Sequence, residues 1–266
     1  MQILYGFLLA IIVAYLAYRA HSLDKSGAVA ATIVGTVIFG IGGWRWAILL
    51  LTFFITSSGL SRAFNQRKAD LTEKFSKGHE RDAGQVFGNG GLATLFTVLH
   101  IFSPESTLPW LGFAASLAAV NADTWATELG VLNLTPPRMI TNLKKRVEKG
   151  TSGGISIFGT IASLLGSAVI ALPAVLLSPT GTLTPPYFFL ITATGLAGSL
   201  FDSLLGATVQ AIYYCPTDQK ETERHPLHTC GTKTVHIRGW KWFDNDWVNF
   251  ACGAFGSLIA VLGSFL

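Results

Sequence analysis

Eight apolar runs separated by short polar stretches set the pattern of the chain. They are Leu4–Tyr18, Ala28–Ile41, Trp44–Leu60, Val86–Phe102, Leu108–Val131, Ile155–Leu177, Tyr187–Tyr213 and Trp247–Leu266. A membrane-crossing helix takes about 20 mainly apolar residues, within a range of roughly 17–25. The second run is short enough to be a half-crossing or re-entrant segment. The first begins Met1-Gln2-Ile3 with no basic n-region, so it reads as a retained helix rather than a cleaved signal. The predicted fold is all-α, a polytopic transmembrane helical bundle of about eight membrane segments. It forms a single integral-membrane domain over 1–266.

The basic residues sort these runs by side. Of 19 Lys and Arg residues, all but Arg45 fall around the first turn or in the loops 61–85, 132–154 and 214–246. The alternate connections, Ile41–Gly43, Ser103–Pro109 and Ser178–Pro186, contain none. The positive-inside rule then gives eight crossings, both termini outside, and the large loops and any site they build facing the cytoplasm. Trp44, Trp46, Trp110, Trp240, Trp242 and Trp247 lie near the ends of runs, where amphipathic rings favour the headgroup level. Trp125 lies deep in the fifth run.

Composition agrees. Half of the 266 residues are hydrophobic and 13% are charged, against about 25% in soluble domains. Gly contributes 28 residues, a level familiar where helices pack closely in lipid. A disordered chain, a disulfide scaffold and a basic nucleic-acid-binding domain are excluded; the lipid bilayer is the partner implied, and the oligomeric state is left open. Three cysteines fit a reducing face. Cys215 and Cys230 flank His225 and His228 in the last loop, but Cys-x9-His-x2-His-x-Cys is not a standard finger spacing, and the set reads more simply as a loop. Cys252 reads as a small core residue.

Asp123, Glu128 and Asp202 stand inside apolar runs. Each charge at the centre of a membrane helix costs roughly 2.5–3.5 kcal/mol, so three would cost on the order of 7–10 kcal/mol without a partner or a wet cavity. Asp123 lies about eight residues, or roughly 12 Å, from the cytoplasmic end of its run; Asp202 lies deeper and Glu128 near the surface. Asn121, Asp123, Thr124, Thr127 and Glu128 share one helical arc. Gly195, Ser199, Asp202, Gly206 and Gln210 form a stripe on the seventh run, and Arg81, Gln85 and Asn89 a third at the start of the fourth. Three polar faces opening one way imply a hydrated cavity. Small-residue stripes alone would be packing seams.

The loop 132–154 adds cations, Arg138 and Lys144-Lys145-Arg146, and then Lys149-Gly150-Thr151-Ser152-Gly153-Gly154-Ile155-Ser156. A Gly- and hydroxyl-rich helix entry suits phosphate, because backbone N–H groups and the helix dipole point at the anion. It is not a P-loop. Anion binders and divalent-cation ligands together are the set that phosphoryl transfer uses, and neighbouring apolar helices would take a lipid tail.

Four blocks carry a resemblance: Ser76-Lys77 with Arg81 to Gly91, Asn121 to Gly130, Lys149 to Ser156, and Gly198 to Ala207. With the ending Asn245-Asp246-Trp247-Val248-Asn249, the chain resembles over nearly its whole length the integral-membrane family of plant and cyanobacterial phytyl-phosphate kinases and related prenyl-phosphate kinases. More loosely it is similar to CTP-dependent polyprenol kinases and membrane cytidylyltransferases. The resemblance implies transfer of a phosphoryl group from a nucleoside triphosphate, CTP first, to an isoprenoid monophosphate such as phytyl phosphate, giving the diphosphate for tocopherol or related prenyl-lipid synthesis. It implies Asp123 and Asp202 as Mg²⁺ ligands, with Glu128 either a third or a group that orients the ligands from behind. Gly150, Thr151, Ser152, Gly153, Gly154 and Ser156 would cradle the nucleotide phosphates, with Arg138, Lys144 and Lys149 as clamps. Arg81, Lys77, Gln85, Asn89, Asn121 and Thr124 would lie at the acceptor. The competing reading is a secondary transporter, which intramembrane acids and Gly-rich helices also suit. Its acids should be reachable from both sides, whereas the outward loops here are short and almost uncharged.

Overall fold

The computed structural model describes residues 1–64, 80–179, 181 and 183–266. Eight α-helices run through them: α1 (Gln2–Arg19), α2 (Lys25–Val37), α3 (Trp44–Phe64), α4 (Ala83–Phe102), α5 (Leu108–Gly130), α6 (Ile157–Leu176), α7 (Pro185–Thr208) and α8 (Asn245–Gly263). The chain is inverted relative to a soluble bundle. On α1 the buried positions are Gly6, Ala10, Ala14 and Ala17, while Leu4, Leu8, Ile12 and Leu16 are exposed. Small residues let backbones approach and large apolar ones are left for lipid.

The second apolar run is longer than its composition suggests. α2 continues without a break into a π-helical turn, Ile38–Gly42, so the segment Lys25–Gly42 has 18 residues and spans about 27 Å at 1.5 Å per residue. Asp24 caps its start by accepting from the Gly27 N–H at 2.7 Å, which moves the true beginning upstream of Ala28.

Seven of the eight helices are long and apolar enough to cross a membrane. α5 is the exception, and the packing explains it. It is surrounded by α3, α4, α6, α7 and α8, and every residue from Pro109 to Ala122 is buried. A helix sheathed by helices needs small side chains more than hydropathy. Ala119 meets the backbone of α7 at Gly198 and of α8 at Gly256, so closely that a Cβ on either glycine would collide with it.

Trp46 and Trp110, expected at the headgroup level, are instead buried at 1% and 2% exposure. They pack with Phe113 inside the bundle, Trp46 lying 4.6 Å from Phe113 and 5.1 Å from Trp110 between ring centroids. The Trp110 indole N–H donates to the Ala174 carbonyl at 2.9 Å, which removes the polar tip's need for an interface. Trp44, Trp240, Trp242 and Trp247 are exposed, as the interfacial reading expects.

The longer connections hold two small antiparallel sheets. In one, β1 (Arg138–Met139) lies between β2 (Asn142–Arg146) and β3 (Gly154–Ile155); in the other, β4 (Ile212–Cys215) lies between β5 (Lys220–Thr222) and β6 (Val235–Arg238). The second sheet docks on the end of α7, where Arg238 Nη1 donates to the Ala207 carbonyl at 2.9 Å. Both gather at the end of the bundle formed by the C-termini of α5 and α7 and the N-termini of α4, α6 and α8.

Candidate functional site

At that end the helices part. α5 is closed up to Ala122, and from Asp123 onward one face looks into a cavity of about 340 Å³. Asp123, Thr124, Thr127 and Glu128 enter it from α5, and Ser199, Asp202, Ser203 and Gly206 from α7, followed by Gln210. The α7 stripe therefore divides: Gly195 packs against Ser167 and α5, while the later positions line the chamber. Asp202 is close enough to Asp123 and Glu223 for their charges to act on it. Its Oδ2 is buried with no hydrogen-bond partner among the described residues, the arrangement expected of an oxygen reserved for a ligand. Glu128, two residues before the end of α5, is 7% exposed and accepts from Ser61 Oγ at 2.8 Å.

The Gly-rich segment closes the opposite wall. Residues Lys149 to Ser156 all line the chamber. Gly150 and Gly153 have φ of +78° and +86°, the left-handed region that favours glycine. A Cβ on Gly153 would also strike the backbone of Ala207, so only glycine lets this turn touch α7. Ser156 caps α6, its Oγ accepting from Gly159 N–H at 3.1 Å. Ser152 Oγ and Gln210 Nε2 both donate to Glu223 Oε1, at 2.9 and 2.8 Å, tying the turn to the second sheet. Lys149 Nζ donates to the Val131 carbonyl at 2.9 Å, which anchors the cation at the end of α5.

Arg81 enters from a third direction. Its N–H donates to the Ser22 carbonyl and its carbonyl accepts from Asp24 N–H, each at 3.0 Å. The start of α2 can approach this strand-like contact because Gly27 has no Cβ to meet the Arg81 carbonyl. The guanidinium lies 5.4 Å from the Phe53 ring centroid, a cation–π arrangement. Burial pushes its pKa down to about 10, against the pull of Glu128 upward, and it is cationic at neutral pH. Asp82 caps α4 in a reciprocal box with Gln85, which fixes where Gln85 and Asn89 face the chamber. Arg81, Gln85 and Asn89 also border a second, apolar crevice of about 70 Å³ between α1, α2, α3 and α4.

Not every candidate joins this site. Asn121 is 0% exposed and bonds across the bundle, donating to the Gly166 carbonyl at 2.7 Å and accepting from Thr56 Oγ1 at 3.2 Å. It cross-links α3, α5 and α6 just two residues before the first chamber residue of α5. Arg138 and Lys144 are exposed in the first sheet and do not line the cavity; Arg138 Nη1 donates to the Leu143 carbonyl within its own hairpin. Lys77 lies outside the described residues. Conversely, Glu223, Ser61 and the pair Asn245 and Asn249 line the chamber without having been singled out as site residues. The two asparagines fall in a quoted block, one turn apart at the start of α8; Glu223 carries no signal that separates it from Glu221.

An apolar bundle with a carboxylate-bearing polar chamber at one end is an integral membrane protein with a buried site. The chain belongs to the family described as integral membrane protein DUF92, which matches residues 8–257. Among its relatives, Protein PGR of Arabidopsis thaliana is 30% identical over 99% of this chain and 96% of its own. An uncharacterised membrane protein of Methanocaldococcus jannaschii is 36% identical over 75% of this chain and 80% of its own. Protein VTE6, chloroplastic, of Arabidopsis thaliana is 27% identical over 90% of this chain and 65% of its own. No solved structure matches.

Proposed function

We propose that the chamber transfers a phosphoryl group from a nucleoside triphosphate, CTP first, to an isoprenoid monophosphate such as phytyl phosphate. The observation that carries this is the convergence of Asp123, Asp202 and the Lys149–Ser156 turn on one cavity. The resemblance to phytyl-phosphate kinases and the likeness to Protein VTE6 support it. Asp123, Asp202 and Glu128 would hold Mg²⁺: the donors are hard oxygens, and the buried Oδ2 of Asp202 lacks a partner among the described residues, which fits a cation of that class. When bound, the ion would supply positive charge that offsets the charge of the phosphates.

The remaining work falls to the chain's own groups. Gly150 to Gly154 with Ser156 cradle the donor phosphates and Lys149 adds a fixed positive charge. Arg81, Gln85 and Asn89 orient the acceptor phosphate, and the crevice behind them takes the first part of the apolar tail. An oxygen of the acceptor attacks the γ-phosphorus as the bond to the β–γ bridging oxygen breaks, and the nucleoside diphosphate leaves with that electron pair. The acceptor is already anionic, so no general base is required; positioning and charge neutralisation supply the rate. By the positive-inside rule the chamber opens to the cytoplasm, where nucleotide and Mg²⁺ are found.

Membranes containing the protein, given γ-labelled CTP, Mg²⁺ and phytyl or geranylgeranyl phosphate, should form a labelled lipid diphosphate. Asp123→Asn and Asp202→Asn should each lower the rate by orders of magnitude with insertion intact. Full activity in both variants removes the metal assignment. A wild type that makes no diphosphate but moves a solute across sealed vesicles is a transporter.

A further inference from the structure

The hairpin turns of the second sheet bring together four side chains that the chamber does not use. Cys215 and Asp218 stand on the β4–β5 turn, in Cys-Pro-Thr-Asp. His228 and Cys230 stand on the turn before β6, in His-Thr-Cys-Gly. One ligand atom from each lies within 4.8 Å of all the others. Cys215 Sγ is 3.5 Å from Cys230 Sγ and 3.7 Å from Asp218 Oδ2, and His228 Nδ1 is 2.7 Å from that oxygen. Both thiols are free.

We propose that Cys215, Asp218, His228 and Cys230 form a structural site for a thiophilic divalent cation, Zn²⁺ by its donor set, which clamps the second sheet at the chamber mouth. Tetrahedral zinc with ligands at 2.0–2.3 Å separates those ligands by about 3.3–3.8 Å, and the sulfur separations already lie in that window. The short nitrogen–oxygen contact is a hydrogen bond that coordination would replace. Asp218 N–H donates to Cys215 Sγ at 3.5 Å. Gly231, with φ +79°, turns the chain so that the Thr232 hydroxyl meets Cys230 Sγ at 3.3 Å. Thr217 and Thr232 hydroxyls meet at 2.8 Å, pinning turn to turn.

The spacing Cys-x2-Asp…His-x-Cys explains why the cysteines and histidines alone gave no recognisable pattern. The carboxylate is the fourth ligand. His225 is not one, since its ring stacks on Tyr213 with centroids 4.6 Å apart. The clamp's consequence is local: β5 ends at Thr222, and the next residue, Glu223, receives the Ser152 and Gln210 bonds of the chamber wall. Nothing in this depends on which reaction the chamber performs.

The test uses the full-length protein in detergent. Elemental analysis should find one zinc per chain. Removal by a chelator and refilling with Co²⁺ should produce a thiolate-to-cobalt charge-transfer band that saturates at one equivalent; carboxylates of the chamber can bind Co²⁺ but give no such band. Cys215→Ser and Cys230→Ser should lose the metal and the band, and Cys252→Ser should keep both. Absence of zinc and of the band in folded wild type overturns the proposal, as does a Cys215–Cys230 disulfide in protein purified without reductant. Should the cysteine variants fail to fold, the wild-type refilling titration alone decides.

Discussion

Asn121 and Asp123 stand two residues apart on α5 and answer to different physics. The Asn121 amide bonds a carbonyl and a hydroxyl of neighbouring helices with no access to solvent, so truncation removes both cross-links and leaves a buried gap. Asn121→Ala should cost about 1–3 kcal/mol, seen as a lower thermal midpoint in detergent, with activity per folded molecule retained. Asp123 shares the chamber with Asp202, and their charges act on one another. Relieving that repulsion should make Asp123→Asn more heat-stable than wild type in Mg²⁺-free buffer while it loses turnover, the trade-off expected where function requires a strained site. A thermal scan showing the variant less stable would count against the acids being mutually destabilising. Both residues were picked from one helical arc; period alone could not tell which looks into a cavity and which into a neighbour.

At the level of elements, the caps determine how well the site is held. Asp82 fastens the first turn of α4 and positions Gln85 and Asn89. Asp82→Ala should cost about 1 kcal/mol, and in the proposed assay it should raise KM for the prenyl phosphate more than for the nucleotide. Gly153→Val should disable the wall itself, because the turn could no longer rest on Ala207; limited proteolysis should then cut within 149–156 where wild type resists. The eight helices were legible as apolar runs, and the Gly-rich turn was legible from its glycines. The sheets were not. Strands of two to five residues are too short to carry an alternation that stands out in a polar loop. Glu223 was unreadable for the same reason: in Lys220-Glu221-Thr222-Glu223-Arg224 only tertiary contact with Ser152 and Gln210 singles it out. Trp46 and Trp110 were misplaced because nearness to a helix end does not say which way a ring turns.

For the molecule as a whole, the charge asymmetry and the chamber share one end. Among the described residues Arg45 is the one Lys or Arg at the opposite end, and it donates to the Pro179 carbonyl at 3.0 Å. If the positive-inside rule holds, a membrane-impermeant amine reagent should modify Lys144 and Lys145, exposed in β2, in inverted vesicles and leave them untouched in right-side-out ones. The reverse result would put the chamber outside.

The sheathing of α5 bears on how the protein is made. A segment that is less apolar over its length than the seven others gains less from lipid and leans on its neighbours, three of which, α6, α7 and α8, are translated after it. A nascent chain halted just past Gly130 should therefore fail to anchor that segment, and extension through α8 should restore it. The chain from α6 onward acts as the berth for its middle, so a truncation that removes only α8 would disturb the buried carboxylates' setting without removing one of them from the gene product.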